Sequence, residues 1–145
     1  MRKLNLTIII ALLTSTVLFT GCVQNSKSMI LENTQQLKVR SYQIKKYNKS
    51  KLDIARAVVS TLQDLSFIID KADIRTGTIT ATKLLKNASM RITIIVRDKG
   101  KSTQVRANAQ FASANKMPEA VTEPKTYQTF YSALDKAVFL ENQGL

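Results

Sequence analysis

From Ser89 to Phe111 the chain reads as an antiparallel hairpin, and that hairpin limits what the rest can be. Met90, Ile92 and Ile94 alternate with Arg91, Thr93 and Ile95; beyond Asp98-Lys99-Gly100-Lys101, the run from Ser102 to Phe111 alternates in the same way. Apolar residues at every second position lie on one side of a strand, so each run has one face to bury. With Lys99-Gly100 as a two-residue turn, Ile92 faces Ala107, Ile94 faces Val105 and Met90 faces Ala109. The other side pairs Arg91 with Asn108, Thr93 with Arg106, Ile95 with Gln104 and Arg97 with Ser102. One apolar and one basic, polar face predict an antiparallel sheet packed on one side and wet on the other. Such a sheet needs a second layer.

Two helices supply it. Ser50 caps a helix whose third following residue is Asp53, a short-chain form of the capping box. Leu52, Ala55, Val58, Val59, Leu62 and Leu65 then recur at three- and four-residue spacing, an apolar stripe for the core. Near the end of the chain, Thr122 and Pro124 start a helix with Tyr127, Phe130, Tyr131, Leu134, Ala137 and Val138 along one face. Between the first helix and the long hairpin, Phe67–Ile74 and Thr78–Leu84 form another hairpin around Arg75-Thr76-Gly77, with a bulge where the apolar residues change sides. Leu37–Ile44 alternates at first and predicts an opening strand, Lys45–Lys49 a basic connection, and Ala112–Glu123 a loop. The expected fold is α+β: a two-layer sandwich with an antiparallel sheet of about five strands, two helices on one face, and the order β-α-β-β-β-β-α.

The start of the chain has a different character. Arg2 and Lys3 precede a mainly apolar stretch from Leu6 to Phe19, the layout of a secretory signal; a membrane span takes about 20 apolar residues. The stretch ends at the chain's single cysteine, in Val17-Leu18-Phe19-Thr20-Gly21-Cys22, which resembles the lipobox of bacterial lipoproteins. That resemblance implies cleavage between Gly21 and Cys22 and lipidation of the Cys22 thiol, with Phe19 where Leu is usual. A lone cysteine in an exported chain has no internal disulfide partner, which fits. Val23 follows it; in enterobacterial-type cells an Asp there favours the inner membrane, so the resemblance implies the outer membrane, or the outer leaflet of the plasma membrane in a Gram-positive cell. The expected organisation is a signal peptide over 1–21, a lipidated cysteine and flexible tether over 22–36, and a single domain over 37–145.

Removing Arg2 and Lys3 with the leader lowers the formal charge from +12 to +10. So basic a surface attracts anionic partners: lipid head groups, lipopolysaccharide phosphates or an acidic protein face. Export and the scarcity of aromatics among the basic residues argue against nucleic acid. The sequence has no histidine, and Cys22 is committed to lipid, so an acid–base relay, a thiol nucleophile and imidazole metal ligands have nothing to draw on. Asp70 and Asp73, three apart, fall on opposite faces of a regular strand. No catalytic residue, metal or cofactor is therefore expected.

Arg40-Ser-Tyr42, Leu62-Gln-Asp-Leu-Ser-Phe67, Gly77-Thr-Ile-Thr-Ala81, Tyr127-x-x-Phe130-Tyr131 and Val138-Phe-Leu-Glu141 together resemble a group of small Gram-negative lipoproteins of uncharacterised function. Ser66 stands where that pattern carries Gly. The element order is also similar, more loosely, to the helix-grip domains of an outer-membrane assembly lipoprotein. Two classes of function remain: a membrane-anchored adaptor of an envelope complex, or a binder of an amphiphilic or anionic ligand between helix and sheet. The first implies a filled core, the second an apolar pocket of at least ~300 Å³. Arg91, Arg97 and Arg106 share the wet face of the long hairpin and are the candidate partner-binding residues, since their planar forks hold carboxylate or phosphate through two hydrogen bonds.

Overall fold

The computed structural model describes residues 26–114 and 116–142, so the expected signal peptide, Gly21 and Cys22 lie outside the described residues. The chain divides into two units, Met1–Asn33 and Thr34–Leu145, and the sheet and its core belong to the second. In order, the elements are α1 (Ser26–Gln43), β1 (Ile44–Tyr47), α2 (Lys51–Asp64), β2 (Ile68–Asp73), β3 (Thr78–Leu85), β4 (Ala88–Asp98), β5 (Thr103–Ser113), β6 (Glu119–Ala120) and α3 (Pro124–Asn142). The fold is α+β. Its antiparallel sheet runs β1-β5-β4-β3-β2, and the two-residue β6 joins the same edge of β5 that β1 occupies further along.

The first element departs from expectation. Leu37–Gln43 is the end of α1, not the opening strand, and the stretch expected as a flexible tether is helical from Ser26. The alternation there involves two apolar residues, and neither is buried: Leu37 is 66% exposed and Val39 half-buried, so no core face holds the segment extended. Its Leu, Lys, Gln and Arg residues favour helix once packing does not decide. The strand moves to Ile44–Tyr47, keeping only Ile44 of the expected one and taking in Lys45–Tyr47 of the expected basic connection.

The hairpins have the expected faces with one change of register. Ile92 pairs with Ala109, Ile94 with Ala107 and Val96 with Val105, two residues from the expected alignment. The cause is the turn. Asp98 Oδ1 accepts from Gly100 N at 2.9 Å and Lys99 N donates to Ser102 O at 2.8 Å, so the loop has four residues where two were expected. An even shift leaves every side chain on its own face. Between β2 and β3 the register breaks between Ile69 and Lys71, leaving Asp70 as the bulged residue. The expected loop after Phe111 instead extends β5 to Ser113 and adds β6 opposite Gln110 and Phe111.

The N-terminus of α2 is capped as expected, with Ser50 Oγ accepting from Asp53 N at 3.2 Å. Its buried face is Ile54, Ala55, Ala57, Val58, Thr61 and Leu62, while Leu52 turns outward at 42% exposure. At its C-terminus Ser66 adopts φ 63°, with Ser66 N on Gln63 O at 2.8 Å and Phe67 N on Leu62 O at 2.9 Å. This is a Schellman closure carrying serine where glycine is favoured. Gly77 (φ 77°) ends the β2–β3 turn against β4: its carbonyl accepts from Val96 N at 2.7 Å, and a Cβ there would lie 2.1 Å from Val96 O.

The core fills the space between the sheet and the two helices α2 and α3. Ile54, Val58, Leu62, Ile79, Ile94, Val96, Val105, Tyr127 and Leu134 are all fully buried. On β5 the small residues Ala107 and Ala109 leave room for two tyrosines of α3 to reach the strand itself. Tyr127 Oη accepts from Ala109 N (3.2 Å) and Gln43 Nε2 (3.1 Å) and donates to Val121 O (2.6 Å). Tyr131 Oη donates to Gln43 O at 2.6 Å and lies 3.1 Å from Val105 O. Tyr47 donates to Asp135 Oδ1 at 3.0 Å. Burial raises the Tyr47 and Tyr131 pKa values well above the tyrosine range, and the Asp135 charge adds to the effect at Tyr47, so both remain donors.

The two left-handed turns make opposite predictions. Ser66→Gly removes a strained left-handed side chain and should stabilise the domain by about 1 kcal/mol. Gly77→Ala should cost about 3 kcal/mol or more, because the added methyl meets a backbone carbonyl that cannot step aside. Denaturant midpoints of both variants check the pair; a loss at Ser66→Gly or no change at Gly77→Ala would contradict the turn geometry.

Candidate functional site

The outer face of the sheet, opposite α2 and α3, is built from rows of paired residues. Lys46, Gln104 and Arg97 form one row, and Ile44, Arg106, Ile95 and Thr78 the next. Asn108, Thr93, Thr80 and Lys71 follow, then Gln110, Arg91, Thr82 and Ile68. Threonine and amide side chains occupy most of the middle, half-exposed. β-Branched threonine suits a pleated, wet surface, so this stretch needs no partner to be stable.

The structure splits the three candidate arginines. Arg91 is separated from the Arg106–Ile95 row by four residues along β4, about 13 Å. It also has an acidic neighbour the sequence did not place opposite it: Asp70, aimed across β3 by the bulge, lies 3.9 Å from Arg91 Nε. Thr82 links the two, donating to Asp70 Oδ2 at 2.7 Å and accepting from Arg91 Nε at 3.5 Å. An exposed pair of this kind adds little stability, but it offsets the charge of Arg91.

Arg97 and Arg106 remain together in adjacent rows and acquire a third cation, Lys46. Lys46 was legible only as part of a basic run; its place on the face follows from β1 pairing with β5. Among the described residues, none of these three cations has a carboxylate within ion-pair distance. Beyond Arg97 the β4–β5 loop adds exposed Lys99 and Lys101, while the carboxylate of Asp98, the last residue of β4, accepts from Gly100 N. Arg106 is the unusual member. Its Nε is buried and has no hydrogen-bond acceptor among the described residues.

Other ionisable groups have structural work. Asp135 binds Lys45 Nζ and Tyr47 on the core side of β1. Asp73 accepts from Thr76 N at 3.0 Å within the β2–β3 turn, and that hydrogen bond lowers its pKa. Among the described residues no group of three or more His, Cys, Asp or Glu side chains could hold a metal, and no helix is long and apolar enough to cross a membrane. No protein-family model matches this chain, and no curated protein is significantly similar to it.

The second candidate location, between helices and sheet, is filled along most of its length. At one end it opens into an apolar cleft of 340 Å³ beside Phe67, Met90 and Phe130. The sequence gives little warning of it. Phe67, Met90 and Phe130 read as ordinary core positions, and only the fold leaves a gap between them.

A buried donor with no acceptor costs about 1–3 kcal/mol. Replacing Arg106 by Met keeps the apolar stem and removes the orphaned Nε, so Arg106→Met should stabilise the isolated domain by about 1 kcal/mol. Thermal melts check this; a destabilised Arg106→Met would mean that Nε has an acceptor.

Proposed function

We propose that this protein is a lipid-anchored envelope protein whose domain acts as a non-catalytic adaptor, docking an acidic protein surface on the Lys46–Arg97–Arg106 corner of its sheet. The anchor rests on the sequence: the apolar leader, Gly21 and the lone Cys22 fit lipoprotein processing, and Val23 fits outer-membrane sorting, facing the periplasm. One acyl chain holds a protein only marginally, whereas several make attachment effectively permanent, so a lipidated Cys22 keeps the domain at its membrane.

The observation that carries the docking reading is the uncompensated charge of Arg106, Arg97 and Lys46 at one corner of the sheet. Two guanidinium groups in neighbouring rows, with Lys46 next to them, form a cationic cluster that no described carboxylate neutralises. Guanidinium is weakly hydrated and binds carboxylates in a fork, so a partner's Asp or Glu side chains gain more here than on scattered lysines. Such charges raise the rate of encounter and make it salt-dependent.

Two experiments test the two halves. Cells should incorporate labelled palmitate into the wild type and not into Cys22→Ala; an unlabelled wild type, or a variant that stays equally membrane-bound, removes the anchor. Pull-down from cross-linked envelopes should recover an acidic protein with the wild type and with Arg91→Gln, since Asp70 already offsets that charge. The double variant Arg97→Gln, Arg106→Gln should lose it, and wild-type capture should weaken as salt shortens the screening length below about 8 Å. Equal recovery by the double variant at every salt concentration would show that the corner does not dock the partner.

A further inference from the structure

The apolar cleft lies at the end of the sandwich remote from the β4–β5 loop. The end of β3, the start of β4, the segment after α2 and the first turns of α3 enclose it. Its floor is core: Ile92 and Phe130 are 2% and 3% exposed. Phe67, Met90 and Leu85 form the walls, and the volume of 340 Å³ falls in the range of small-ligand sites, about 300–1,000 Å³. Past the mouth, on the same side of the sheet, Phe111 stays 39% exposed and extends the apolar surface from the half-exposed wall residue Leu85.

The mouth is positively charged. Lys83 Nζ donates to Leu65 O at 2.9 Å and sits 5.7 Å from the centre of the Phe67 ring, which fixes the ammonium at the entrance. That acceptor is neutral, so the charge is not cancelled and two N–H groups remain. Lys125 adds a second cation from the first turn of α3, where the unpaired amides of the helix also favour negative charge. Glu123 is the one carboxylate of the lining, against two ammonium groups and a helix N-terminus. An apolar slot under a cationic mouth complements a molecule with one hydrocarbon tail and one anionic head.

We propose that this cleft binds the acyl chain of a single-chain lipid, with Lys83 and Lys125 holding its anionic head group. The site is separate from the sheet corner and does not depend on it.

Dodecanoate, kept below its micellar concentration, is the probe, and residues 22–145 carrying Cys22→Ser are the protein. This form needs no detergent, and the core lies entirely within Tyr42–Val138. Methyl-labelled methionine gives a local readout. Met90 lines the cleft, and Met117, 84% exposed, serves as a control. Dodecanoate should shift the Met90 methyl resonance saturably and leave Met117 almost unchanged. Dodecyltrimethylammonium, the same tail under a cationic head, should bind about tenfold more weakly or worse, and Lys125→Glu should weaken dodecanoate by a similar factor. Thr129→Trp, which places bulk in the cleft from an exposed position on α3 without altering charge, should abolish the Met90 shift while the melting temperature holds. Absence of a saturable shift at Met90, equal affinity for the two head groups, or undiminished binding by Thr129→Trp would each overturn the proposal. The first result would leave the cleft as a seat for a partner's apolar side chain.

Discussion

The buried hydroxyl of Tyr127 does what no apolar contact could. A strand as long as β5 has a row of backbone groups on its outer side, and the two short strands that cover it, β1 and β6, leave a gap between them. In that gap the Ala109 amide finds the Tyr127 oxygen, which also takes the Gln43 side chain and donates to Val121. Four segments meet on one atom: the end of α1, the middle of β5, Val121 in the connection from β6 to α3, and α3 itself. Unsatisfied, those polar groups would cost about 1–3 kcal/mol each; satisfied, they fix how α3 lies on the sheet. The alanines of β5 are the other half of this arrangement, since a larger side chain at 107 or 109 would keep the ring from the strand.

The two candidate sites are consequences of that placement. Because α2 and α3 both lie on one side, the other side of the sheet is left to threonines, amides and arginines, and β1 brings Lys46 to Arg97 and Arg106. Because the sheet runs beyond the first turns of α3, the far end of the same layer is left partly uncovered, with Ile92 and Phe130 at the bottom of the resulting cleft. One end of the domain is thus cationic and polar, the other cationic and apolar. They suit different chemistry.

Much of the fold was legible in the sequence because it rests on periodicity. The helices α2 and α3, the two hairpins, a bulge in the first of them and the one-sided burial follow from spacings of two and of three or four, whereas the 18-residue α1 does not. Where periodicity was thin, the reading failed. Two alternating apolar residues at Leu37 and Val39 were too few to distinguish a strand from a helix that simply stays exposed. The turn at Asp98 shifted a register that the hydrophobic pattern alone could not set, since a slip of two preserves every face. The Arg91–Asp70 pairing and the addition of Lys46 are long-range facts: one needs the bulge to turn Asp70 across β3, the other needs β1 to find β5. The cleft left least trace, because a gap is a property of how elements end, not of any residue in them.

One feature of the far edge bears on how such molecules coexist. β2 is the sheet's free margin, and it carries the displaced Asp70, then Lys71 and Asp73, within six residues. A flat, apolar margin would offer its unpaired amides and carbonyls to the margin of the next molecule, and one strand after another could join. Were the proposed anchor to hold the domain at a membrane, neighbours would meet far more often than in solution, and an adhesive margin would join them into a mat. The kink and alternating charges of β2 make that lateral zippering unfavourable, so crowding can rise without cross-linking molecules through this margin.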